Sequence, residues 1–93
     1  MLYKFKTPYE FEGKKYEELE ADLTQLKGRD LADAKRAYTK AGNFAVLPVT
    51  DADYCVEIIS RLAKLPREFF DDMPARDYLA ITTEVSNFLM ASD

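Results

Sequence analysis

The sequence contains no histidine and only one cysteine, Cys55. Histidine is the commonest general base and metal ligand near neutral pH, so its absence removes the usual centre of many catalytic and metal sites. One cysteine can form neither an internal disulfide nor a structural zinc site. Cys55 lies on the apolar stripe of a predicted helix, which favours a core residue over a nucleophile. We therefore expect no catalytic residue, no metal and no cofactor.

Glycine and long apolar runs are also scarce. The three glycines, at positions 13, 28 and 42, are too far apart to form a phosphate-binding loop. No apolar run is long enough to cross a bilayer, and the N-terminus lacks the apolar stretch of a signal peptide. Together with the single cysteine, these absences predict a soluble cytoplasmic protein without a membrane partner.

The chain is moderately acidic, with 13 basic and 17 acidic residues and a net charge of −4. A nucleic-acid binder needs a basic face that displaces counterions from phosphates. One candidate basic cluster is present, formed by Lys27, Arg29, Lys35, Arg36 and Lys40. Because the overall balance is acidic, we expect no nucleic-acid partner.

The first 23 residues have the pattern of a β-hairpin. Aromatic residues of one parity alternate with charged residues of the other, which is typical of a half-buried strand: Tyr3, Phe5, Tyr9 and Phe11. Pro8 predicts an edge strand or two short pieces, and Gly13 predicts the turn. In the returning strand, Tyr16 has the wrong parity for the face of Leu19. Either a bulge lies between these two residues or Tyr16 packs on the other face.

The remainder of the chain predicts four helices, over about residues 30–41, 51–65, 66–72 and 74–90. Apolar residues recur at spacings of three and four, Thr50 is a candidate N-cap, and Pro66 and Pro74 suit helix starts. Residues 43–49 predict an irregular link that can include a buried extended piece. The fold class is a single α+β domain over 1–93, mainly helical, with an N-terminal β-hairpin packed with about four α-helices.

Four residues near the C-terminus are candidates for partner binding: Phe69, Phe70, Arg76 and Tyr78. Neighbouring helix positions point about 100° apart, so Phe69 and Phe70 can hardly face the same core. Either one ring is exposed or both are buried at a helix corner. For Arg76 and Tyr78, a structural helix start is the favoured interpretation and partner binding is the alternative.

Taken in order, these segments resemble the tail assembly chaperones of long-tailed bacteriophages and prophages. The resemblance rests on five parts: YEFEGKKYEEL at 9–19, LKGRDL at 26–31, the helix at 54–65, the Leu65-Pro66 step, and PARDY at 74–78 followed by Val85, Phe88 and Leu89. It covers nearly the whole chain. The order and spacing of these short strings carry it, rather than any single motif.

The resemblance implies a non-enzymatic protein that binds the tape-measure protein in the host bacterial cytoplasm before the tail tube polymerises. It also implies absence from the finished virion, self-association, and in many members a longer frameshifted product that recruits tail-tube protein. A second interpretation of the same surfaces is a small helical adaptor or regulator that binds a host protein.

Overall fold

The computed structural model describes residues 1–91 and confirms the predicted α+β class, mainly helical. Strands β1 (Leu2–Phe11) and β2 (Lys14–Glu20) form an antiparallel hairpin. Four helices follow: α1 (Gly28–Lys40), α2 (Ala52–Ala63), α3 (Arg67–Asp71) and α4 (Ala75–Met90). Two short 3₁₀ turns, Leu23–Gln25 and Pro48–Thr50, precede α1 and α2.

The hairpin has an irregular register near Pro8. Tyr3 pairs with Leu19 and Tyr9 pairs with Tyr16, so residues 5–8 of β1 lie opposite Glu17 alone. Proline cannot donate a ladder hydrogen bond, which explains why the extra residues fall there. The structure therefore places the irregularity in β1, between Lys4 and Tyr9, rather than as a bulge of β2 between Tyr16 and Leu19. It leaves Tyr16 on the same side as Tyr9, facing α3.

An aromatic cluster joins the hairpin to α3. The ring of Phe69 lies 4.9–6.5 Å, centroid to centroid, from five other rings: Phe5, Tyr9, Phe11, Tyr16 and Phe70. The Tyr9 hydroxyl also donates a 2.8 Å hydrogen bond to the Phe69 carbonyl. Phe69 and Phe70 are both 0% exposed. Of the two alternatives, the structure shows both rings buried at a helix corner, because this short helix is covered by the hairpin on one side and contacts α2 on another.

The predicted helix boundaries shift by one or two residues where capping decides them. Helix α1 begins at Gly28 rather than 30, since the Asp30 carboxylate accepts from the Lys27 N–H at 2.8 Å. Asp51, not Thr50, caps α2, accepting from the Asp53 N–H at 2.9 Å. Lys64 adopts a left-handed φ of 58° and ends that helix before 65.

Two further predicted boundaries also change. The returning strand ends at Glu20 rather than 23, because Asp22 caps the following 3₁₀ turn through the Thr24 N–H. Pro66 and Pro74 lie just before α3 and α4, as N-cap residues with extended ψ. They still mark the helix starts, since a helix interior excludes proline.

Arg67 ties α3 to α2. Its guanidinium lies 2.7 Å from Asp53 and 2.8 Å from Glu57 of α2, and 3.0 Å from Asp71 of its own helix. Partial burial alone lowers the pKa of Arg67, but the hydrogen bonds and charges of these carboxylates outweigh burial and raise it. The cation therefore stays charged and holds three carboxylates together at the base of α3.

Asp77 anchors α4 to the hairpin. It is almost fully buried in the first turn of α4, where its charge suits the positive end of the helix dipole. Its carboxylate accepts a hydrogen bond from the Tyr3 hydroxyl. Burial and this bond raise the pKa of Tyr3 to about 12. The contact joins residues 74 positions apart in sequence.

Candidate functional site

The loop of residues 43–47, between α1 and the second 3₁₀ turn, exposes large apolar side chains. Phe44 is 87% exposed and Val46 is 94% exposed, and Leu47 is more than half exposed. The option of a buried extended piece in this link is therefore wrong. We call residues 43–47 the apolar loop. Most large apolar residues elsewhere are buried or partly buried, so a contiguous exposed group of this kind indicates a surface for binding.

Tyr38 forms hydrogen bonds with residues on both sides of the apolar loop. Its backbone carbonyl accepts hydrogen bonds from the Asn43 N–H at 3.3 Å and from Asn43 Nδ2 at 3.2 Å. Its hydroxyl donates to Asp51 at 2.7 Å, beyond the far end of the loop. Since Tyr38 is itself buried in α1, it ties the start of the loop and the later residue Asp51 to the core, while Phe44 and Val46 face solvent.

A small open cavity begins where the apolar loop ends. Its volume is about 180 Å³, and it lies between the start of α2 and the outer face of α4. The Ser86 hydroxyl of α4 donates to the Val49 carbonyl at 2.6 Å and fixes that side. The residues that line the cavity are Thr50, Ala52, Cys55, Leu79, Thr82, Thr83, Ser86 and Asn87. Exposed Leu79 adds an apolar group to the cavity wall.

The fold does not bring the four candidate residues from the sequence together at the apolar loop. Phe69 and Phe70 lie in the core, and Arg76 is exposed in the first turn of α4. Tyr78 is half-buried and lines a depression with Asp53, Arg67 and Asp71. The sequence contained a signal for the apolar loop: Phe44, Val46 and Leu47 stand without helical or strand periodicity between the Gly42 stop and Pro48.

Cys55 is a core residue at the floor of the cavity. It is buried, and its thiol lies 3.6 Å from the Val49 carbonyl. Burial, with a smaller contribution from Asp51, raises the pKa of Cys55 to about 11. Catalytic cysteines instead have a lowered pKa and an electropositive setting. The arrangement does not support nucleophilic chemistry at this thiol.

The reactivity of Cys55 gives a direct check. We expect a thiol reagent such as DTNB to label the native protein at neutral pH about 100-fold more slowly than the urea-unfolded protein, because the raised pKa lowers the thiolate fraction and burial adds to the protection. The rate of absorbance change measures this. Cys55→Ala supplies the zero-signal control. Equal rates in the two states would contradict the buried placement.

The raised pKa values of Tyr3 and Tyr38 predict a loss of stability at alkaline pH. The bond to Asp51, with burial, raises the pKa of Tyr38 to about 12, matching Tyr3. Both groups are neutral in folded and unfolded chains below pH 10. Between pH 10 and 12 the unfolded chain ionises first, so stability falls across that window. Urea midpoints followed by circular dichroism from pH 8 to 12 measure it, and Tyr3→Phe should flatten the decline.

The described residues present an exposed apolar surface. Within residues 1–91, no cluster of three potential metal ligands occurs, and no helix has the length and hydropathy needed to cross a membrane. In the same range, every fully buried polar side-chain atom has a hydrogen-bond partner. A packed core with an exposed apolar loop offers a surface that can bind another protein.

The family is assigned from a match over nearly the whole chain. A sequence model of the phage tail assembly chaperone proteins, described as E, or 41 or 14, matches residues 2–90. The chain therefore belongs to the phage tail assembly chaperone family, as the resemblance indicated. Neither the curated proteins nor the solved structures gave a match. Membership implies partners among phage tail proteins and a role in tail assembly, and chaperone families generally act by binding rather than by catalysis.

Proposed function

We propose that this chain binds the tape-measure protein of its phage and keeps it soluble before the tail tube polymerises around it. The observation that carries the proposal is the apolar loop, with Phe44 and Val46 almost wholly exposed. A long helical partner presents apolar faces that aggregate when left uncovered. A small folded domain with a fixed apolar surface can cover such faces by side-to-side packing with a helix.

The energetics suit a transient chaperone. Full burial of a Phe, Val or Leu side chain contributes about 1.5–3 kcal/mol, and the apolar loop presents three of them. Part of that gain is offset by the entropy lost on association. One copy then binds weakly enough to be displaced by tail-tube subunits, while several copies along one partner hold it firmly.

The remaining parts of the proposal concern place and partners. We place the protein in the host bacterial cytoplasm during assembly and outside the mature virion. Copies associate with one another on the tape measure, and a frameshifted longer product recruits tail-tube protein. The alternative of an adaptor for a host protein has no supporting observation beyond the same surface, whereas the family match favours tail proteins.

Co-expression with the tape-measure protein of the same phage tests the proposal. We expect the tape measure to move from the insoluble to the soluble fraction and to co-purify with a tagged copy of this chain. Co-expression with an unrelated small soluble protein of similar charge controls for general effects. A tape measure that is soluble alone and does not co-purify would contradict the proposal.

The apolar loop should carry this binding. In Phe44→Ser/Val46→Ser, we expect the free energy of unfolding to change by less than about 0.5 kcal/mol, because both side chains are exposed. We expect co-purification to fall about tenfold or more, since losing two apolar contacts removes more than about 1.4 kcal/mol.

A matched control uses apolar residues that are exposed elsewhere. Leu2→Ser/Met90→Ser removes two side chains that are each about half exposed and belong to β1 and α4 rather than to the loop. It should leave co-purification near the wild-type level. Equal losses in the two double variants would show that general surface hydrophobicity, and not the apolar loop, binds the tape measure.

A further inference from the structure

Charge is distributed unevenly over this acidic protein. Residues 27–40, which span α1 and the residue before it, contain five basic and two acidic residues and carry a net charge of +3. Because the whole chain has a net charge of −4, the residues outside 27–40 carry a net charge of −7. A local field of opposite sign to the whole molecule selects partners and orients them on approach.

The basic groups of α1 form one face of the helix. Positions 32, 35, 36, 39 and 40 follow the spacing of a single helical side, opposite buried Ala34 and Tyr38. All five are exposed and line an open depression. We call Lys35, Arg36 and Lys40 the basic stripe. The alkyl stems of these residues, with Ala32, give the depression an apolar floor.

Two members of the basic stripe retain free charge. Arg36 pairs with Asp33 on the same helix. Within residues 1–91, neither Lys35 nor Lys40 has a carboxylate within 4 Å. An exposed i,i+3 pair like that of Arg36 is worth little and exchanges readily for a better partner. The stripe can therefore form new ion pairs at little cost.

The apolar loop follows the basic stripe closely in the chain. Phe44 follows Lys40 by four residues, so their Cα atoms are at most about 15 Å apart. The two Asn43 hydrogen bonds to the Tyr38 carbonyl hold the start of the loop against the last turn of α1. A ligand lying along α1 with apolar residues at one end can thus reach both features.

We propose that the basic stripe and Phe44 together bind an acidic amphipathic helix of a protein partner. Charge complementarity requires a negatively charged ligand. Contact with Phe44 requires that this ligand carry apolar side chains as well. An extended nucleic acid is disfavoured, because Asp30 and Asp33 interrupt the same helix and the rest of the chain carries a net charge of −7. The inference rests on the proposed function in taking the tape-measure protein as the source of that helix.

Two synthetic peptides test the inference without the tape measure. Both are about 20 residues long with the same leucine positions on one helical face. One carries glutamate on the polar face and the other carries lysine at the same positions. The net charge of −4 alone favours the lysine peptide. We expect the opposite in fluorescence anisotropy: tighter binding of the glutamate peptide by about tenfold, weakening as salt rises.

Matched variants locate the binding. In Lys35→Gln/Arg36→Gln/Lys40→Gln, we expect the preference for the glutamate peptide to disappear. Lys6→Gln/Lys15→Gln/Arg61→Gln removes the same charge from exposed residues elsewhere, so both variants carry −7, and this control should keep the preference. Thermal melts verify that both fold. A stripe variant that unfolds is replaced by Lys35→Gln/Lys40→Gln, which keeps the Arg36 pair with Asp33.

Three results would overturn the inference: tighter binding of the lysine peptide, no binding of either peptide at millimolar concentration, or equal loss in both variants. Tighter binding of a labelled single-stranded oligonucleotide than of the glutamate peptide would assign the stripe to nucleic acid instead. These assays contain no tape-measure protein, so they test the inference separately from the proposed function. If only the proposed function fails, the tape measure does not co-purify but the preference for the glutamate peptide remains.

Discussion

Phe69→Ala is expected to lower the free energy of unfolding by about 3–5 kcal/mol, the usual cost of removing a buried phenylalanine ring. The ring is 0% exposed and lies in contact range of five aromatic rings, four of them from the hairpin. Its removal leaves a cavity between β1, β2 and α3, and loses edge-to-face contacts that contribute beyond burial. Since a domain of this size is stable by about 5–15 kcal/mol, the loss is a large part of the total.

Phe44→Ala is the matched control for that experiment. It makes the same chemical change at a ring that is 87% exposed, so the free energy of unfolding should change by less than about 0.5 kcal/mol. Urea titrations followed by circular dichroism give both values. If Phe69→Ala fails to fold, Phe69→Leu keeps most of the volume and should give a smaller, measurable loss. Similar losses at positions 44 and 69 would contradict the core assignment.

Arg67→Gln is expected to give the second largest loss, about 2–3 kcal/mol. The substitution removes three charge-assisted hydrogen bonds and leaves Asp53, Glu57 and Asp71 facing one another without a cation. The guanidinium is about one-third exposed, which places the expected loss below the 3–5 kcal/mol typical of a fully buried pair. Because α3 carries Phe69, its attachment to α2 also loosens.

Two variants separate geometry from charge in this cluster. Arg67→Lys keeps the charge but replaces the planar five-donor guanidinium by a compact ammonium, so it should recover only part of the loss. Arg36→Gln breaks the exposed pair with Asp33 and should cost less than about 1 kcal/mol. Urea midpoints at low and high salt measure all three variants. A loss at Arg67 no larger than at Arg36 would show that the cluster contributes little to stability.

The hairpin and the helix starts could be predicted because their signals are local. Alternation in residues 3–11 and the Glu12-Gly13 turn specify the strands and their connection within a few residues of chain. Pro66 and Pro74 mark helix starts through their own backbone chemistry. Capping was less predictable at Thr50, since an adjacent aspartate competes for the same N–H groups and forms the cap.

The candidate site could not be predicted in the same way. The sequence contains two similar pairs of apolar residues, Phe69 with Phe70 and Phe44 with Val46. The angle between neighbouring helix positions indicated that one ring of the first pair could be exposed. The fold buries that pair completely, since the hairpin covers α3. It leaves the second pair in solvent, where Phe44 and Val46 are almost wholly exposed although Tyr38 ties the start of the loop to the core.

The sequence by itself determined the fold class, the family, the uneven charge of residues 27–40 and the lack of histidine chemistry. These depend on composition, local periodicity and order along the chain. Only the tertiary structure decided which apolar residues form the core and which form a surface. Burial depends on which distant elements pack against a residue, as when residues of the hairpin surround Phe69 some 50–60 positions away.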